Sequence, residues 1–300
     1  FEKRVTMFGK EIPRDGRTDK QLLDEALAIA SKSDVIVAAL GESAEMSGES
    51  SSRTNLQIPK VQKDLLNALL KTGKPVVLVL FTGRPLAITE ENKNVAAILN
   101  VWFPGSEAGL AISDVLFGDV NPSGKLTATF PQNVGQVPIF YNHKNTGRPL
   151  GNRDGNFEKF RSNYIDVRNE PLYPFGYGLS YTTFDYSNLK LSTTEVNTEG
   201  SIEVTVDVTN SGNYDGKEVV QLYVRDVVGS VTRPVKELKG FQKVEIKKGE
   251  TKTVAFKLTE NDLKFYNSKL DFIAEPGTFQ VFVGSDSNAS LSSEFELTNK

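Results

Sequence analysis

The sequence predicts two folds in tandem: a mostly parallel α/β/α sandwich, then an all-β sandwich. Three observations predict this order. Unbroken apolar, strand-like runs alternate with helix-period stretches over residues 1–131, and from residue 187 to 300 the apolar period becomes two. The interval 132–186 is an extended connector, rich in Pro, Gly, Asn and aromatic residues and with little periodicity. At 300 residues the chain is twice the ~150-residue prior for one domain, so two cores are expected.

The elements follow in order. Thr18 and Gln21 stand at capping-box spacing before a helix whose stripe is Leu22, Leu23, Ala26, Leu27 and Ala30. Val35–Leu40 reads as a strand. Pro59 suits the first turn of a second helix, Val61, Leu65, Leu66 and Leu69 form its stripe, and Gly73 fits its C-terminal cap. Strand Val76–Phe81 comes next, followed by strand Ala96–Val101, helix Ser106–Phe117 closed by Gly118, and strand Lys125–Phe130. Apolar strands of this kind belong to a parallel sheet covered on both faces. Farther on, Ile202, Val204, Val206 and Val208 alternate with polar residues. So do Val220, Leu222 and Val224; Val254, Phe256 and Leu258; and Phe279, Val281 and Val283. Turn signals at Asn210–Gly212, Lys248–Glu250 and Glu275–Gly277 separate them, which fits an immunoglobulin-like or fibronectin type III-like sandwich.

Composition narrows the chemistry. Lys and Arg number 35 against 38 Asp and Glu, so the net charge of −3 gives no footing for nucleic acid or anionic lipid. With no cysteine and one histidine, thiol catalysis and Cys- or His-based metal sites are not expected, and no cofactor is implied. The longest apolar run, Pro75–Phe81, is far below the ~20 residues of a membrane span.

Several stretches carry a family resemblance. They are Gly41-Glu-Ser-Ala-Glu-Met-Ser-Gly-Glu-Ser-Ser-Ser-Arg-Thr-Asn-Leu-Gln-Ile-Pro59, Gly73-Lys-Pro-Val-Val-Leu-Val-Leu-Phe-Thr-Gly-Arg-Pro85 and Trp102-Phe-Pro-Gly-Ser-Glu-Ala-Gly109. Further along come Phe117-Gly-Asp-Val-Asn-Pro-Ser-Gly-Lys-Leu126, Tyr141–Pro149, Leu172–Phe184 and Arg233–Phe241. In this order they resemble glycoside hydrolase family 3, in its periplasmic β-glucosidase type, over nearly the whole chain. The resemblance implies a three-part build of catalytic barrel, α/β sandwich and fibronectin type III-like domain, with the Asp nucleophile on the barrel. No Asp here matches that nucleophile motif, so the expectation is a C-terminal portion whose sandwich lacks its first βα unit. The implied function is a retaining, exo-acting β-glucosidase acting on terminal β-D-glucosyl residues, or a β-xylosidase of the same family. The implied location is periplasmic or secreted. Expected partners are an oligosaccharide or glycoside substrate and the N-terminal barrel portion of the same enzyme. An uncovered sheet edge also invites association between copies, giving a homo-oligomer.

Retaining hydrolysis needs two carboxyls facing each other across the scissile bond, and loops at the carboxyl ends of parallel strands are where such groups sit. After strand Val35–Leu40 come Glu42, Glu45 and Glu49. Glu42 follows the strand too closely to reach a neighbouring domain. Glu49 precedes Arg53 by four residues, the Glu-to-Arg spacing around the acid/base residue of related β-glucosidases, so the resemblance makes Glu49 the general acid/base and Glu45 the runner-up. Arg53, counted among the substrate-binding candidates, either anchors the loop or tunes the carboxylate. His143, Asn145 and Arg148 are candidates for lining the aglycone side of the pocket, although a loop histidine satisfied by backbone groups is the blander reading. Trp102 and Phe103 resemble a sugar-stacking platform but close an apolar strand, which favours core packing. Ser50, Ser51 and Ser52 lack a nucleophile elbow and a His partner. The competing function class is a stand-alone carbohydrate-binding or interaction module. A flavodoxin-like cofactor-binding protein would fit the α/β pattern but none of the later motifs.

Overall fold

The computed structural model describes residues 16–150 and 157–299, with the backbone of a short antiparallel ladder between Thr6–Met7 and Lys10–Glu11. Helix α1 (Asp19–Ala30) opens on the expected capping box. The Gln21 N–H donates to Thr18 Oγ1 at 3.2 Å, and the Thr18 N–H donates to Gln21 Oε1 at 2.8 Å, so two otherwise orphaned donors are satisfied.

Strand β1 (Ile36–Gly41), helix α2 (Lys60–Leu70), strand β2 (Val76–Phe81), the short helix α3 (Thr89–Asn94) and strand β3 (Ala97–Asn100) follow. The strands form a parallel sheet in the order β1-β2-β3, with Ile36 opposite Val76 and Val77 opposite Ala97. Central β2 buries Leu78 and Leu80 completely, which explains its unbroken apolar run. β1 behaves differently. Ile36, Ala38 and Leu40 are buried, whereas Val37 is 52% exposed, so among the described residues one face of β1 is bare. At its end Gly41 adopts φ +143°, and a Cβ there would stand 1.8 Å from the Phe81 carbonyl oxygen; only glycine lets the two strand ends close up.

Helix α4 (Ala108–Phe117) carries the chain out of this part, and the packing divides the molecule into two compact units, one up to Gly109 and one from Leu110. In the second unit the run Lys125–Phe130 is not a sheet strand as expected. Its backbone pairs irregularly with the connector instead: the Leu126 N–H donates to the Tyr177 carbonyl at 2.8 Å and the Phe130 N–H to the Tyr173 carbonyl at 2.9 Å. Pro174 and the left-handed Gly176 in the partner segment break the ladder between these contacts. Connector aromatics pack along it, Tyr173 on Tyr177 at 5.1 Å and Tyr141 on Phe175 at 4.5 Å.

Among the described residues, a two-stranded ladder between Phe265–Tyr266 and Phe272–Ile273 stands apart, and the main sandwich of this unit is built from β4 (Phe184–Leu191), β5 (Glu195–Asn197), β6 (Ser201–Asn210), β7 (Gly216–Asp226), β8 (Glu237–Ile246), β9 (Thr251–Thr259), β10 (Gly277–Gly284) and β11 (Leu291–Thr298). They form a five-stranded sheet, β8-β7-β10-β11-β5, and a three-stranded one, β9-β6-β4. Pairing is antiparallel except between β11 and β5. The expected alternation supplies the core: Val204, Val206, Val208, Val220, Val281 and Phe295 are all at most 2% exposed. Each such burial is worth about 1.5–3 kcal/mol. Lys125 ties the preceding segment to this sandwich, with its Nζ 3.1 Å from Glu218 Oε1, which also accepts from the Tyr186 hydroxyl at 2.9 Å.

Candidate active site loop

The carboxyl ends of β1, β2 and β3 are followed by Glu42, by Thr82 to Arg84, and by Trp102 and Phe103. Glu42 organises this edge. Its side chain has no solvent exposure, and its Oε1 accepts from Arg53 Nη1 at 2.6 Å. Arg84 Nε lies 3.1 Å from the same oxygen, close enough for charge attraction but not aligned for a hydrogen bond. Oε2 accepts from the Gly83 N–H at 3.2 Å and lies 2.9 Å from Thr82 Oγ1. Burial pushes the Glu42 carboxyl up, but Arg53, Thr82, Gly83 and Arg84 together outweigh it and hold the pKa below the ordinary value.

The two arginines then reach the loop backbone. Arg53 Nη2 donates to the Gln57 carbonyl at 3.2 Å, and Arg84 Nη2 to the carbonyls of Met46 and of Ser51, the latter at 3.1 Å. Gln62 of α2 fastens the loop's first residue, accepting from the Gly41 N–H at 2.7 Å and donating to its carbonyl at 2.9 Å. Gly83 sits where the edges converge: a Cβ there would fall 2.0 Å from Ser47 Oγ and 2.8 Å from Phe103 Cε2.

Glu45 lies in a single 3-10 turn, Ala44–Met46, and is exposed. Glu49 is exposed on the loop beyond it, and among the described residues its carboxylate has no partner. Ser50, next to it, holds a left-handed φ of 59°. Arg53 faces Glu42 and not Glu49, so of its two expected roles the geometry displays the anchoring one. Phe103 is 47% exposed, which corrects the expectation of core packing: the strand ends at Asn100, and Trp102 turns the chain at φ 52°.

His143, Asn145 and Arg148 lie in the second unit and are exposed. The His143 ring sits 3.3 Å from the Lys144 carbonyl, while its own carbonyl accepts from the Val235 N–H at 2.9 Å. Their loop is thus fastened to the sandwich, with the Leu238 N–H donating to the Tyr141 hydroxyl at 3.2 Å. The sequence reading passed over Glu42 as an organiser, and it missed Arg84. The available signal was one carboxylate directly after an apolar strand with two arginines in the loops of the same sheet edge.

Residues 3–181 match the family profile described as "Glycosyl hydrolase family 3 C-terminal domain", and residues 218–287 match "Fibronectin type III-like domain". The chain is similar to a periplasmic beta-glucosidase of Salmonella typhimurium, 50% identical over 98% of this chain and 38% of that protein. It is also similar to a beta-xylosidase of Formosa agariphila, 45% identical over 94% of this chain and 38% of that protein. Among solved structures, the beta-glucosidase of Listeria innocua in complex with isofagomine superposes with a TM-score of 0.86 at 44% identity, covering 92% of this chain and 39% of that one. The chain therefore spans somewhat over a third of the length of the relatives it matches.

Proposed function

The chain belongs to glycoside hydrolase family 3, and on that footing we propose that it is the C-terminal portion of a retaining, exo-acting β-glucosidase for which Glu49 is the general acid/base. The observation that carries this reading is an exposed Glu49 carboxylate on a loop whose base is clamped at the carboxyl edge of the parallel sheet. A carboxylate outside this chain, the barrel Asp that the resemblance implies, attacks the anomeric carbon. Glu49 gives its proton to the departing glycosidic oxygen, and the glycosyl-enzyme forms. The ionised Glu49 then takes a proton from the water that displaces the sugar. His143, Asn145 and Arg148 are proposed to contact the aglycone, and Glu45 is the substitute acid. A periplasmic or secreted location is part of the same proposal, and the name of the Salmonella relative, a periplasmic beta-glucosidase, supports it.

The test uses the full-length enzyme. Glu49→Ala is expected to lose about 10²–10⁴-fold in turnover of substrates with poor leaving groups and far less on activated aryl glycosides, with azide restoring turnover. Equal loss on both without azide rescue would transfer the role to Glu45 or beyond. The Formosa relative supports a second reading, a β-xylosidase, and comparing aryl glucosides with aryl xylosides in the same assay separates the two.

A further inference from the structure

Resting on Glu49 as the acid/base, we propose that Glu42 is a positioning residue: by holding Arg53 and Arg84 together, it fixes both limbs of the loop that presents the Glu49 carboxyl. A carboxylate with no solvent exposure persists only if its charge is matched, and here two guanidinium groups meet it at 2.6 and 3.1 Å. Their remaining donors do not stay on Glu42. They run to the carbonyls of Met46 and Ser51, three residues before and two after Glu49, and to that of Gln57 near the loop's end. One buried anion thus stations two cations, and the cations station the backbone on either side of the proton donor.

A second observation lies next to Glu49. Ser50 adopts φ 59°, a left-handed conformation unfavourable for an L-residue without glycine's freedom, which persists only where the surroundings over-determine the backbone. The Arg84 hydrogen bond to the next carbonyl, that of Ser51, is such a constraint. Proton transfer to a leaving oxygen requires placement to well under an ångström, and losing that placement costs on the order of 10²-fold. A group that merely stabilised the fold would lower every rate alike. A group that positions the acid lowers the rates that need the acid.

The test compares Glu42→Gln and Arg53→Lys with the parent in the full-length enzyme. Glu42→Gln keeps the size and removes the charge. Arg53→Lys keeps the charge but cannot reach both Glu42 and the Gln57 carbonyl, and since Arg53 is 19% exposed it spares the fold if Glu42→Gln does not. For Glu42→Gln, turnover of poor-leaving-group substrates should fall about 10–100-fold more than turnover of activated aryl glycosides, with a smaller split for Arg53→Lys. Amide exchange over residues 43–57 should quicken while α2 stays protected. Equal loss on both substrate classes with unchanged loop exchange, in both variants, would overturn the proposal and leave Glu42 a purely structural carboxylate. If Glu49→Ala shows a leaving-group split and Glu42→Gln shows neither effect, the clamp fails and the acid/base reading stands. If Glu49→Ala shows no split while Glu42→Gln quickens loop exchange, the clamp holds the loop but the acid is another residue, and the proposal falls with the reading it rests on.

Discussion

Because its neighbours hold the Glu42 carboxyl below its ordinary value of 4.5 despite burial, the folded chain gives up that proton more readily than the unfolded one. The resulting stability is complete above that ordinary value and is lost as pH falls through the lowered folded pKa. Urea titrations of the parent and of Glu42→Gln from about pH 6 to about pH 3 should therefore show their difference shrinking as pH falls. A gap independent of pH would mean that the charge is not what stabilises this edge. At this scale the sequence showed Glu42 only in part. Its place directly after the strand end was legible, but its partners stand 11 and 42 residues away, and no local spacing announces them. Glu49 and Arg53 were legible as a pair only through resemblance, and in space Arg53 turns to the other carboxylate.

Elements were most legible where local pattern and burial agree. Val76–Phe81 is a strand from end to end because the central position in the sheet demands an apolar residue at each step. Helix α3 escaped notice because Thr89–Asn94 has no apolar stripe. The run Lys125–Phe130 has strand composition, but its partner is chosen by contacts about 50 residues away, which periodicity cannot see. That segment is held to the sandwich by a buried pair. Burial pushes the Glu218 carboxyl up, and the Lys125 charge and the Tyr186 hydroxyl only partly offset it. Lys125→Met should then cost about 3–5 kcal/mol at neutral pH, read as a fall in the denaturant midpoint. The loss should lessen on acidification: a folded pKa above the unfolded one makes stability fall as pH rises between the two. A neutral substitution would show that the pair adds nothing to the fold.

At the scale of the whole molecule, β1 is a strand paired on one side only among the described residues, with Val35 and Val37 each 52% exposed. An apolar edge of this kind pairs with whatever strand it meets. Sedimentation velocity on the chain alone should show concentration-dependent association, and Val37→Lys, which puts a charge on that face, should suppress it. A monomer at all concentrations would argue against this edge as the contact. Composition and period foretold an α/β part and a β-sandwich, but not that residues between them are stitched to the sandwich. Asn121 donates to the Asp215 carbonyl at 2.9 Å, the Tyr181 hydroxyl to that of Val115 at 2.6 Å, and Lys125 Nζ to that of Gly178 at 2.9 Å. For anyone grafting this sandwich onto another protein, the transplantable unit is not the strands alone. A graft cut at β4 would bare Glu218 and leave Tyr223 without Tyr141 at 5.7 Å, so the excision has to begin well upstream, before Asn121.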